Sequence, residues 1–214
     1  MNPLNKKNRI VLASESPRRR RLLEQAQIEF CVVPSGIDED ATSGPDPESH
    51  AQILAAAKAE AVARQYPEAW VIGADSIVVI DHRILNKPRS AAEARQMLAR
   101  LSGRTHRVIT GYSIWCANRA HRYSNACITG VTFKELTADE INWYLETPEP
   151  WDKAGGYAIQ GIAAFMVKSI QGSYTNVVGL PVCEVVQHLI DHGAINRRPE
   201  PTHPAALADA GARR

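Results

Sequence analysis

Residues 10–24, IVLASESPRRRRLLE, restrict the fold more than any other stretch of this chain. Residues 10–13 form a short, wholly apolar run, the pattern of a strand buried on both faces. Ser14, Glu15 and Ser16 break it. Ser16 then suits an N-cap, and Pro17 sits at the first helical position, where a missing N–H costs nothing. Arg18 to Arg21 fill the first turns, and Leu22, Leu23 and Ala26 give the helix an apolar face. The segment therefore predicts a strand, a tight turn and a helix. The turn carries hydroxyls, open backbone N–H groups and arginines. A helix N-terminus attracts anions, so four arginines placed there run against the helix dipole. An anionic ligand would offset that conflict; a solvated basic face is the alternative reading.

The remainder of the chain alternates in the same way. Residues 30–33 read as a second strand, followed by an acidic loop with Asp38, Glu39 and Asp40. A helix is predicted over 48–66, with Ile53, Leu54, Ala57, Ala61 and Val62 at helical spacing. Residues 70–72 and 77–80 are two apolar runs flanking Gly73-Ala74-Asp75-Ser76, and Asp81-His82 is a turn. Ser90 to Glu93 and Thr137 to Glu140 both read as capping boxes that open helices. Residues 107–116 and 121–133 are long strands forming an antiparallel pair, and 163–170 is a further strand. Pro181 opens a last helix that buries Val185, Val186, Leu189 and Ile190 and ends at Gly193. This order predicts a mixed α/β (α+β) domain over residues 1–194. Residues 195–214, rich in Pro, Ala and Arg, read as a disordered tail.

With 214 residues and a net charge of +2, the chain has enough apolar content for a real core and no global field to draw it to nucleic acid. No apolar run spans a membrane, and the polar start reads as no signal peptide. The four cysteines are scattered without a C-x-x-C pair, which favours a reduced, cytoplasmic setting.

Asp75 is the sharpest candidate for chemistry. Read as lying at a strand end, its carboxylate can hold Mg²⁺ and orient a water; a turn-forming aspartate is the competing reading. Lys58, in AAAKAEAVA, neutralises a phosphate or belongs to a solvated helix stripe. Lys87 has its direction restricted by Pro88. Glu39 reads mainly as part of a solvated loop, with metal binding as the minority role.

At these residues the chain resembles the Maf family of nucleoside triphosphate pyrophosphatases. SESPRR resembles the family's S-x-S-P-R-R opening, GADSIVV its G-A-D-T-V-V segment and LNKP its lysine–proline loop. Residues 153–182 resemble its long C-terminal motif, so the likeness covers roughly residues 9 to 193. It implies a two-lobed α/β fold like that of inosine triphosphate pyrophosphatases, with the site in a central cleft. It implies hydrolysis of a nucleoside triphosphate to monophosphate and pyrophosphate with a divalent metal, Mg²⁺ or Mn²⁺. Asp75 matches the general base, and Asp75 with Glu39 would hold the metal. Arg18, Arg19, Lys58 and Lys87 match the phosphate-binding cations, with Ser14 and Ser76 completing the cradle. Arg18 and Gln160 match the form associated with dTTP and UTP; a sister form with tryptophan and glutamate there is associated with 7-methyl-GTP. Two positions depart from the pattern: Glu15 stands where small residues are common, and Ser76 replaces a threonine. The expected partner is the nucleotide, without nucleic acid or membrane, and a homodimer is compatible with the reading. A non-catalytic nucleotide-binding regulator of septum formation is the rival from another class.

Overall fold

The computed structural model describes residues 10–39 and 44–195. The expected tail beyond Ile195, and Asp40 of the acidic loop, lie outside the described residues. The chain forms one mixed sheet of seven strands with helices on both faces. The opening segment folds as its sequence dictates. Strand β1 (Ile10–Leu12) is wholly buried, and Ser16 caps helix α1 (Pro17–Gln25) by accepting from Arg19 N–H. Strand β2 (Cys31–Val32) pairs parallel with β1. Asp46 caps helix α2 (Pro47–Ala63), which is followed by strands β3 (Trp70–Ile80) and β4 (Arg83–Leu85).

The two apolar runs around Gly73-Ala74-Asp75-Ser76 are one continuous strand, so Asp75 lies in mid-strand and not at a strand end or in a turn. The expected turn at Asp81-His82 is present, with positive φ at both residues, and it returns β4 onto β3. Helix α3 (Ala91–Leu101) follows, then the long antiparallel pair β5 (Thr105–Cys116) and β6 (His121–Phe133). At the start of α3, Ser90 Oγ accepts from Glu93 N–H, but the Glu93 carboxylate takes the N–H of Arg89, one residue before the cap. The reciprocal capping box is complete only at helix α4 (Ala138–Leu145), between Thr137 and Glu140. The strand expected over 163–170 begins later, as β7 (Val167–Gln171), because Ile162–Met166 coils as 3₁₀ helix. The short helix α5 (Tyr174–Val178) had no helical pattern in the sequence. It precedes α6 (Val182–Asp191), where Val185 and Leu189 are buried and Val186 and Ile190 only partly so.

The sheet order is β2-β1-β3-β5-β6-β7, with β4 also pairing to β3. Side chains alternate along β3, which sorts the core. Val71, Ile77 and Val79 face α2. Trp70, Ile72 and Ala74 face the opposite side, in a cluster with Leu22 and Leu23 of α1 and Val185 and Leu189 of α6. Val78 and Ile80 share that side, but in a separate cluster with α3 and α4. Two apolar cores thus sit at opposite ends of one sheet face.

The second of these cores holds a titratable group. His106 on β5 is 2% exposed; its Nε2 lies 2.7 Å from the Tyr157 hydroxyl, and Phe133 packs edge-on against the ring. Burial pushes its pKa down to about 4. In the unfolded chain the ring titrates near 6.5. The folded value is the lower one, so the neutral ring's contribution is complete above about pH 6.5 and is lost as pH falls toward 4. The loss is about 3 kcal/mol at most. Urea titrations at pH 7 and pH 4.5 should show most of it, and His106→Asn, which cannot protonate, should flatten the difference.

Candidate active site

Two glycines decide where α2 lies. A Cβ on Gly73 would sit 2.2 Å from Ala55 O and 2.7 Å from Ala59 N, and one on Gly111 2.2 Å from Ala51 O. The helix backbone therefore rests directly on β3 and β5, with only alanines between. Gly111 is the cross-strand partner of Asp75, and Gly73 stands two residues before it on the same face. That close approach brings Lys58 of α2 down to Asp75. Lys58 is 5% exposed and Asp75 8%. Lys58 Nζ donates to Asp75 Oδ1 at 2.7 Å and to Glu39 Oε1 at 2.7 Å. The solvated-stripe reading of Lys58 is thereby replaced, and Glu39, half-exposed in its loop, is tied to the same ammonium. Burial by itself raises the Glu39 carboxyl's pKa. The Lys58 hydrogen bond, with the charges of Lys58, Lys87 and Arg19, outweighs that and holds it below the usual range.

A second network lies on the other face of β3. Arg19, 9% exposed, donates from Nε to Gly179 O at 2.7 Å, from Nη1 to Ser14 Oγ at 3.2 Å and from Nη2 to Ser76 Oγ at 3.1 Å. These bonds occupy three of its five N–H donors. Ser76 Oγ also lies 2.8 Å from Thr110 Oγ1, which donates to Asn176 O at 3.0 Å. Burial lowers the Arg19 pKa, and the Asp75 carboxylate partly opposes the fall.

Neighbouring residues of a strand point to opposite faces, yet Asp75 and Ser76 border one cleft. A break in the sheet edge allows this. Strand β1 pairs with β3 only at Trp70, Val71 and Ile72, and β4 only at Val78, Val79 and Ile80. Residues 73–77 have β5 on one side and, among the described residues, no strand on the other. The cleft occupies that break, with a volume near 940 Å³. It lies beyond the carboxyl end of β1, where open α/β sheets commonly take ligands.

The residues matched to the family's site line this cleft: Ser14, Arg18, Arg19, Glu39, Lys58, Asp75, Ser76, Lys87 and Gln160. The arginine run divides by face. Arg19 is locked in the network, Arg18 is partly exposed and 3.7 Å from Asp152, and Arg20 turns outward to Glu24 at 2.8 Å. Lys87 and Gln160 are exposed at the rim. Glu15 also lines the cleft. The sequence did not single out Thr110, Asn176 or the Gly179 carbonyl. Asn176 and Gly179 lie inside the long C-terminal motif, but a backbone carbonyl leaves no side-chain signal.

The cationic lining residues are Arg18, Arg19, Lys58, Lys87, Arg89 and Lys153, against Glu15, Asp38, Glu39, Asp75 and Asp152. The arginines and lysines suit a polyanion, but the acids nearly balance them. Asp75 and Glu39 each have one oxygen on Lys58, and as hard carboxylate donors they suit Mg²⁺ or Mn²⁺ better than a soft metal.

Fold and cleft together define an α/β protein with a charged cleft built around a lysine-bridged carboxylate pair. The chain belongs to the family of Maf-like proteins, whose model matches residues 9–192. It is 48% identical over 187 residues to a protein of Syntrophus aciditrophicus (strain SB), covering 87% of this chain and 91% of the relative. It is 51% identical over 189 residues to one of Geotalea uraniireducens (strain Rf4), covering 88% and 97%. It is 52% identical over 188 residues to one of Geobacter metallireducens (strain ATCC 53774 / DSM 7210 / GS-15), covering 88% and 98%. All three relatives are named dTTP/UTP pyrophosphatase.

Proposed function

We propose that this chain hydrolyses dTTP and UTP to the nucleoside monophosphate and pyrophosphate. The observation that carries the reading is the meeting of Asp75 and Glu39 at Lys58 Nζ, facing the arginine cradle across one cleft. The names of the relatives support the substrate. Asp75 orients a water for in-line attack on phosphorus and takes its proton. Lys58 holds that carboxylate in place through its 2.7 Å ion pair. Arg19, already fixed by three protein partners, presents its remaining N–H donors to phosphate oxygens without having to be ordered first. Arg18 and Lys87 add charge at the rim. Asp75 and Glu39 would hold Mg²⁺ or Mn²⁺, which when bound neutralises phosphate charge and makes water more acidic. Cys116, Cys127 and Cys183 are free thiols, and no described helix is long and apolar enough to cross a membrane; a cytoplasmic setting belongs to the same reading.

Gln160 supplies the base preference. Its amide offers one donor and one acceptor type, matching the alternating C=O and N–H edge of thymine and uracil. The test is pyrophosphate release with Mg²⁺ or Mn²⁺ across dTTP, UTP, CTP, GTP and 7-methyl-GTP. We expect dTTP and UTP to be best, by about tenfold or more, the usual scale of a polar mismatch. Gln160→Glu should lower kcat/KM for UTP by about the same factor and leave Tm unchanged, because the side chain is exposed. Preference for 7-methyl-GTP would overturn the base assignment alone. Nucleotide binding with no pyrophosphate from any substrate would favour the regulator.

A further inference from the structure

Three histidines meet outside the cleft. His121 opens β6, His188 lies in the last turn of α6 and His192 caps that helix; the rings of His121 and His192 lie against Trp70. One ligand nitrogen from each lies within 4.8 Å of the others. His121 Nε2 and His188 Nε2 are 2.8 Å apart, and the His192 ring stacks on His188 at 4.2 Å between centroids. We propose that His121, His188 and His192 form a binding site for a transition-metal ion of the Zn²⁺ type, separate from the carboxylate site of the cleft.

The geometry argues for this in several ways. Zinc–imidazole bonds of about 2.0–2.1 Å in a tetrahedral shell put nitrogens about 3.3 Å apart. The three ligand nitrogens lie within 4.8 Å of one another, and rotation of the rings about their side-chain bonds would bring them to that spacing. Two histidines four residues apart on a helix, with a third from another element, match the ligand spacing that zinc sites use. His192 Nδ1 lies 2.9 Å from the His188 carbonyl. A carbonyl only accepts, so Nδ1 donates this bond, and Nε2 is the nitrogen left to face an ion. A backbone partner of this kind orients metal-bound histidines. The His121–His188 contact has two nitrogens sharing a single proton, an arrangement that a cation can replace.

His192 is exposed and the other two are partly so, which gives the ion a way in and leaves room for a water as fourth ligand. A bound ion would join the first residue of β6 to the last turn of α6.

The test uses the full chain without a histidine tag, with excess Mg²⁺ to occupy the cleft carboxylates. Zn²⁺ is followed by calorimetry and Co²⁺ by visible absorption. We expect one equivalent of Zn²⁺, the strong visible bands of tetrahedral Co²⁺, and a Tm raised by a few degrees at saturating Zn²⁺, as any ligand of the native state does. His188→Gln and His192→Ala should each weaken binding by roughly tenfold or more through loss of one of three ligands. His192 is exposed, so its replacement leaves the fold intact. Absence of binding in the native chain overturns the proposal, and so does unchanged binding in both histidine variants. Binding lost in Asp75→Asn but kept in the histidine variants would put the ion in the cleft and overturn it equally.

Discussion

Asp75→Asn is expected to lower kcat/KM for dTTP and UTP by at least about 10²-fold, the scale on which a lost general base is felt. The structure explains why the fold should survive. Asparagine keeps the oxygen that accepts from Lys58, and Glu39 keeps a negative charge on the same ammonium at 2.7 Å. Lys58 is therefore not left as a buried, unpaired cation, the usual reason for large losses at such sites. What disappears is the basicity of one carboxylate and half of the hard oxygen charge offered to a metal. Pyrophosphate release and a thermal melt on the same preparation separate the two effects. Near-normal turnover in a well-folded variant would remove Asp75 from the mechanism.

Gly73→Ala should give the largest loss of stability, about 3 kcal/mol or more, at the upper end of what overpacking costs. The added methyl would meet backbone atoms, Ala55 O at 2.2 Å and Ala59 N at 2.7 Å, and a backbone cannot swing aside as a flexible side chain can. The helix must rise from the sheet, and the rise draws Lys58 away from Asp75. Activity should therefore fall even under conditions where the variant remains folded. Gly130→Ala is the control: its Cβ would find nothing nearer than 3.7 Å, and its cost should stay under about 1 kcal/mol. Urea midpoints for the two variants and the parent settle the comparison; equal midpoints would mean the helix rests on the sheet more loosely than described.

These glycines also show how far the sequence could be read. The strand–turn–helix at the start was legible because apolar run, cap and N1 proline agree locally. The segment Gly73-Ala74-Asp75-Ser76 was misread as a break because glycine disfavours strands. Here its small size serves close contact with a helix. The matching signal was present in Ala51, Ala55 and Ala59, spaced four apart, which form a stripe thin enough to lie on glycine. Read together, the two would have placed Lys58 inside. The anchoring of Arg19 could not be read in this way, because its strongest partner is a backbone carbonyl 160 positions later in the chain. The short helix that presents that carbonyl spans only Tyr174–Val178, too few residues to show a period.

The break in the sheet edge bears on how this site can change over generations. Asp75 and Ser76 serve the two halves of the cleft because consecutive strand residues face opposite ways. Substitution can exchange either side chain independently. Inserting or deleting one residue in that part of β3 cannot be absorbed in the same way. It would turn the carboxylate toward the arginine network and the hydroxyl toward Lys58, and invert every apolar contact beyond it. Variation at this position is therefore confined to replacement at fixed length.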